Sequence, residues 1–186
     1  MTTANKITIT RIAMIPFFIV FALLGTKTGN IVALILFITA SATDFLDGYI
    51  ARKYNQITDF GKFVDPLADK LLVTAALLVF VGDGYLASYM VFIILAREFI
   101  ITSLRNVAAA KGQVIAAAWS GKVKTCVQIA GVVIIFLLII LEKNTPEHQM
   151  IYMVIGWVMT AVTIYSGVEY MAKNWSVVAE GASRPK

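Results

Sequence analysis

The chain has 186 residues, 59% of them hydrophobic, and a formal net charge of +5. Soluble domains run about 45–50% apolar, so the composition excludes an ordinary soluble globular domain. The excess is gathered into long runs such as 31–40, 71–81 and 127–141, and six spans of roughly 20 residues each leave no room for a separate soluble domain.

The predicted architecture is all-α: a polytopic membrane protein with six transmembrane helices, one domain over residues 1–175 and a short polar tail over 176–186. The first span is expected at 8–25, with Asn5 or Thr8 suited to cap it. No basic region and small-residue cleavage site frame it as a removable leader, so it reads as retained. The second span is expected at 31–53, with Asn30 as a candidate cap. The third, fourth, fifth and sixth follow at 60–82, 85–110, 121–141 and 149–172.

The basic residues divide unequally between the two sets of connections. Lys27 and Lys143 are the only ones in the first and last connecting loops, and the GDG turn has none. Lys6, Arg11, Arg52, Lys53, Lys62, Lys111, Lys122, Lys124, Lys173, Arg184 and Lys186 fall on the opposite side. By the positive-inside rule that side is cytoplasmic, and it holds both termini. The positive balance therefore reads as orientation and attraction to anionic lipid rather than nucleic-acid binding.

Cys126 is the only cysteine and His148 the only histidine. An internal disulfide and a thiolate zinc cluster are both excluded. His148 is expected in a solvated loop with Glu142, Lys143 and Glu147. Any metal would be held by oxygen, which favours Mg²⁺, Mn²⁺ or Ca²⁺.

The most informative stretch is DFLDGYIARKYNQITDFGKFVDPLAD, residues 44–69. It reads D-x2-D-G-x2-A-R-x8-G-x3-D-x3-D and lies between the second and third apolar runs. Acids beside a bilayer are costly and mark functional sites by default. Asp44, Asp47, Gly48 and Ala51 share one helical face, as do Gly61, Asp65 and Asp69. Two neighbouring helices can thus present four carboxylates across a gap, with small residues leaving space for a bulky ligand. Four carboxylates cannot all ionise in close quarters without compensation, and two divalent cations about 3.5–4 Å apart would supply it. Arg52 can neutralise a phosphate or pair with an aspartate. Asp65 before Pro66 is also an ordinary helix-capping arrangement.

At every defined position this segment resembles the signature of the CDP-alcohol phosphotransferase family of integral membrane enzymes. The resemblance implies displacement of CMP from a CDP-linked donor by an alcohol, with two divalent metals, Mg²⁺ or Mn²⁺. It implies Asp44, Asp47, Asp65 and Asp69 as metal ligands, and Asp69 as general base on the attacking hydroxyl. Gly48, Ala51, Arg52 and Gly61 would line the cytidine diphosphate site. A six-helix fold, a homodimer and a site open to the cytoplasm are implied too.

The signature does not name the acceptor. Arg97 and Glu98 lie deep in the fourth span, where a structural ion pair is one reading. Arg105 lies eight residues past Arg97, hence on about the same face, and Lys122 and Lys124 open the next span. Arg105, Lys122 and Lys124, with Arg97, can bind a second phosphate; interfacial anchoring is the plainer alternative for the lysines. The segment AREFIITSLRNVAAAKGQVIAAAWSGKVKT and the opening NKITITRI resemble the glycerol-phosphate-using bacterial branch of the family. That resemblance implies CDP-diacylglycerol as donor and sn-glycerol 3-phosphate as acceptor. Inositol phosphate, serine or phosphatidylglycerol would be the acceptor in rival branches. A divalent-cation transporter is the rival of another class, disfavoured because the acids cluster at one membrane edge and no inverted repeat is visible.

Overall fold

A computed structural model describes residues 3–53, 59–110, 115, 118–141 and 146–175, with side chains for 7–43, 67–68, 70–109, 115, 118–141 and 148–175. Six helices carry the described chain: α1 Thr3–Leu23, α2 Lys27–Lys53, α3 Asp59–Gly82, α4 Ser88–Ala110, α5 Trp119–Ile140 and α6 Pro146–Lys173. No strand occurs among the described residues. All six predicted helices are present. Two helical stretches, Trp119–Ile140 and His148–Lys173, are both long and apolar enough to cross a membrane. Shorter apolar stretches run over Ile7–Leu23, Lys27–Thr43 and Lys70–Gly82.

Several ends differ from expectation, for one reason. Apolar periodicity marks where a helix meets an apolar environment, whereas the backbone helix continues into polar turns. α1 begins at Thr3, so Asn5 and Thr8 lie inside it and do not cap it. Asn30 is the fourth residue of α2 and is buried. The cap of α2 is Thr26, whose Oγ1 accepts a hydrogen bond from the Gly29 N–H at 3.1 Å. α6 begins at Pro146, so His148 sits in its first turn rather than in a loop. α3 begins at Asp59, which puts Asp65 in the helix interior and removes the capping alternative for it.

The turns at one end of the bundle are tight. Gly25 and Gly84 take φ of 63° and 77°, a left-handed backbone that any Cβ would strain. After α3, the Tyr85 and Leu86 N–H groups both donate to the Phe80 carbonyl, at 2.8 and 3.1 Å. Gln149 Nε2, from the start of α6, donates to the Gly84 carbonyl at 2.9 Å. These bonds bring the end of α3 and the starts of α4 and α6 together.

α1 packs on α2 and α3, α5 on α2 and α6, and α4 on α6. Four phenylalanines from four helices meet at the centre. Phe18 lies 6.0 Å from Phe37 and 5.9 Å from Phe136, and Phe136 lies 4.9 Å from Phe80, between ring centroids. All four rings are fully buried. Glycines let the outer helices close in. A Cβ on Gly156 would stand 2.7 Å from Met90 Sδ, and one on Gly167 would stand 2.9 Å from Arg97 Cγ. Small residues at helix contacts are how helices pack where the surroundings are as apolar as the side chains. The outer surface fits that setting: Phe17, Ile35, Leu78, Phe92, Ile134 and Val154, one from each helix, are all exposed.

Candidate active site

The aspartate motif occupies the last three turns of α2 and the first three of α3. The backbone is helical at all eight motif positions, and the two helices are in contact. Helical register therefore places Asp44, Asp47 and Ala51 along one stripe, and Gly61, Asp65 and Asp69 along another. The side chains of Asp44, Asp47, Gly48, Ala51, Arg52, Gly61, Asp65 and Asp69 lie outside the described residues. Among the described residues, no three His, Cys, Asp or Glu side chains group to hold a metal ion. The motif's donor set is carboxylate oxygen throughout, the chemistry that hard divalent cations select.

The neighbours of the motif are described. Ser41, one turn before Asp44, and Ala68, next to Asp69, border a small cavity shared with Arg11, Ala40, Leu72, Val73 and Ile129. Arg11 is 1% exposed. In the sequence Arg11 stands out only for orientation and family likeness; the fold buries it beside Ser41 and Ala68 of the two motif-bearing helices.

A second polar centre lies one element over. Glu98 on α4 receives three cations from three helices. Lys124 Nζ of α5 stands 2.5 Å from Glu98 Oε1, Arg97 Nη1 3.3 Å from the same oxygen, and Lys70 Nζ of α3 3.6 Å from Oε2. Lys70 also donates to the Glu98 carbonyl at 3.3 Å and to Thr102 Oγ1. Arg97 Nη2 donates to Ser166 Oγ of α6 at 2.7 Å, with the Arg97 stem laid against Gly167. Gln128 Nε2 of α5 donates to Thr163 Oγ1 of α6 at 3.0 Å. A small cavity beside the carboxylate is lined by Lys70, Thr74, Lys124, Thr125 and Gln128.

The four cations predicted to hold a second phosphate thus fall into two pairs. Arg97 and Lys124 meet at Glu98, with side-chain exposures of 12% and 7%. Arg105 and Lys122 are more exposed, on α4 and α5 respectively. The ion-pair reading of Arg97 and Glu98 holds, and it is wider than a neighbour pair. Lys70, Thr102 and Ser166 were not singled out from the sequence. Lys70 carried a usable signal, being a charge that immediately follows Asp69 and precedes an apolar run. Ser166 and Thr102 carried none, because single hydroxyls in apolar helices usually bond their own backbone.

The family model described as CDP-alcohol phosphatidyltransferase matches residues 1–164. The chain belongs to that family, whose members are generally dependent on divalent metal. It is 42% identical over 189 residues to a Bacillus subtilis (strain 168) protein named CDP-diacylglycerol–glycerol-3-phosphate 3-phosphatidyltransferase, covering 94% of this chain and 95% of the relative. Proteins of the same name from Rickettsia bellii and Yersinia pestis (strain Pestoides F) are 36% and 34% identical. Those matches cover 89% and 94% of this chain, and 91% and 95% of the relatives.

Proposed function

We propose that this chain transfers the phosphatidyl group of CDP-diacylglycerol to sn-glycerol 3-phosphate, giving phosphatidylglycerophosphate and CMP. The observation that carries the reading is the complete eight-position motif on two touching helices, in a chain similar over nearly its whole length to relatives of that name. Asp44, Asp47, Asp65 and Asp69 would hold two divalent ions, Mg²⁺ or Mn²⁺. When bound, these supply positive charge to the donor pyrophosphate and the departing CMP. Gly48, Ala51 and Gly61 leave room for the cytidine diphosphate, and Arg52 neutralises one of its phosphates. Arg105, Lys122, Lys124 and Arg97 hold the phosphate of the acceptor.

Asp69 accepts the proton of the glycerol 1-hydroxyl. That oxygen then forms a bond to the phosphatidyl phosphorus as the bond from this phosphorus to the CMP oxygen breaks. The electron pair leaves with CMP.

The same reading makes all six helices membrane spans. They have 21 to 28 residues, which at about 1.5 Å per residue is enough for a hydrocarbon core of about 30 Å. Both termini and the motif then face the cytoplasm in a cell membrane, where a soluble acceptor is available, and the enzyme is a homodimer. The test is purified protein with CDP-diacylglycerol, Mg²⁺ and a panel of glycerol 3-phosphate, inositol phosphate, serine and phosphatidylglycerol. CMP release should be fastest with glycerol 3-phosphate. Preference for another acceptor would move the chain to another branch of the family, and metal flux into proteoliposomes without donor lipid would favour transport.

A further inference from the structure

Glu98 has no part in the chemistry just described, yet cations from three helices converge on it. Its carboxylate is 14% exposed and meets Lys70 from α3, Arg97 from α4 and Lys124 from α5. Arg97 carries the link on to Ser166 of α6. Stability alone is a weak reason for such a group. Burying an ion pair costs about as much in lost hydration as it returns, and ionisable residues within membrane helices are expensive.

The partners show what the group joins. Lys70 follows Asp69 directly, on the helix that carries the proposed base. Lys124 stands two residues past Lys122, on the helix that opens the proposed acceptor site. One carboxylate therefore fixes the two sides of the reaction to each other. Bonds from Lys70 to the Glu98 carbonyl and to Thr102 hold α3 on α4 beside that carboxylate. A lysine has four rotatable bonds and only a point charge to place, so a nearly buried Lys124 aimed by Glu98 loses that freedom before the ligand arrives.

We propose that Glu98 is a positioning residue for the acceptor: its carboxylate orients the Lys124 ammonium and ties α5 to α3, so that the acceptor phosphate is held at a fixed offset from Asp69. This rests on the transfer reading above, and it adds a residue outside the motif to the specificity for a phosphorylated acceptor. Glu98 touches no reacting atom; it acts through Lys124 and Lys70.

The test is steady-state kinetics of Glu98→Gln, Glu98→Asp, Lys124→Met and the Glu98→Gln/Lys124→Met double variant, with thermal midpoints recorded in the same detergent. Glu98→Gln should raise the KM for glycerol 3-phosphate about tenfold or more, the scale of one lost charge-assisted hydrogen bond. The KM for CDP-diacylglycerol should stay within about twofold. Glu98→Asp, which keeps the charge, should fall between wild type and Glu98→Gln. The double variant should be no worse than Lys124→Met alone, since the two act along one path. An unchanged or lowered acceptor KM in Glu98→Gln would overturn the proposal, because Glu98 would then merely compete with the phosphate for Lys124. Equal changes in both KM values tracking a lowered thermal midpoint would overturn it too, leaving a structural role. If Glu98→Gln does not fold, the acceptor-to-donor KM split in Glu98→Asp decides in the same way. Absence of CMP release by the wild type with glycerol 3-phosphate would instead sink the transfer reading, so the two failures are distinguishable.

Discussion

At one end of the bundle the helices are joined by glycine turns, backbone hydrogen bonds and rings: Gly25, Gly84, the two hydrogen bonds to the Phe80 carbonyl, and Tyr85 tilted against Tyr152 with ring centroids 4.8 Å apart. Toward the other end they are joined by charge, with Lys70, Arg97 and Lys124 gathered on Glu98 just past the aspartate helices. The first kind of joint pairs backbone groups locally and needs no ligand. The second concentrates ionised groups where desolvation is costly, and in the proposed function it serves a charged substrate. The contrast separates scaffold from site: changes at the turn end should act on stability, and changes at the charged end on turnover and KM.

The largest effect is expected at the charged end. Asp69→Asn should lower CMP release about a thousandfold, the range spanned by loss of a general base, with little change in thermal midpoint. A variant that stayed within about threefold of wild type would remove the base assignment. The next largest belongs to the scaffold. Phe136→Ala removes the ring shared by Phe18 and Phe80 and should cost about 3–5 kcal/mol of stability. At a temperature where the variant is folded, both KM values should match wild type. Gly156→Leu forces a side chain against Met90 and Leu86 and should cost about 1–3 kcal/mol by overpacking, again without a KM effect. A raised acceptor KM in either scaffold variant would blur the division.

Smaller effects return to the site. Arg105→Ala and Lys122→Ala remove exposed cations, so each should raise the acceptor KM only a few-fold, and the effect should shrink as salt is added. An effect larger than that of Lys124→Met would make the exposed pair the main phosphate contact. Smallest is Gln149→Ala, which deletes the bond to the Gly84 carbonyl. It should cost about 0.5–1.5 kcal/mol, read as a slightly lower thermal midpoint and unaltered kinetics.

The same contrast explains what was legible in the sequence. Six helices were readable because apolar runs of span length are a one-dimensional signal, and α2 and α3 end and begin within a residue of expectation. The aspartate motif was readable because its spacing and residue types are unusual together. Thr26 as a cap and the early start of α1 were not, since polar turns are helical or not according to what they pack on. The charged centre was half readable: Arg97 and Glu98 were visible as costly charges within a span, and Lys124 as a cation opening the next. Their convergence was not, because it depends on which faces of α3, α4 and α5 are turned together, and no local pattern encodes that. Lys70 shows the limit most clearly, a neighbour of Asp69 in the chain that the fold turns toward α4.

The most direct test of the account is the lipid product itself. Purified protein is incubated with CDP-diacylglycerol, glycerol 3-phosphate and Mg²⁺, and the lipids are resolved by mass, alongside Asp69→Asn and a sample with the metal chelated. The account predicts phosphatidylglycerophosphate and an equal amount of CMP from the wild type only. CMP released without that lipid, or the same lipid formed undiminished by Asp69→Asn, would contradict it.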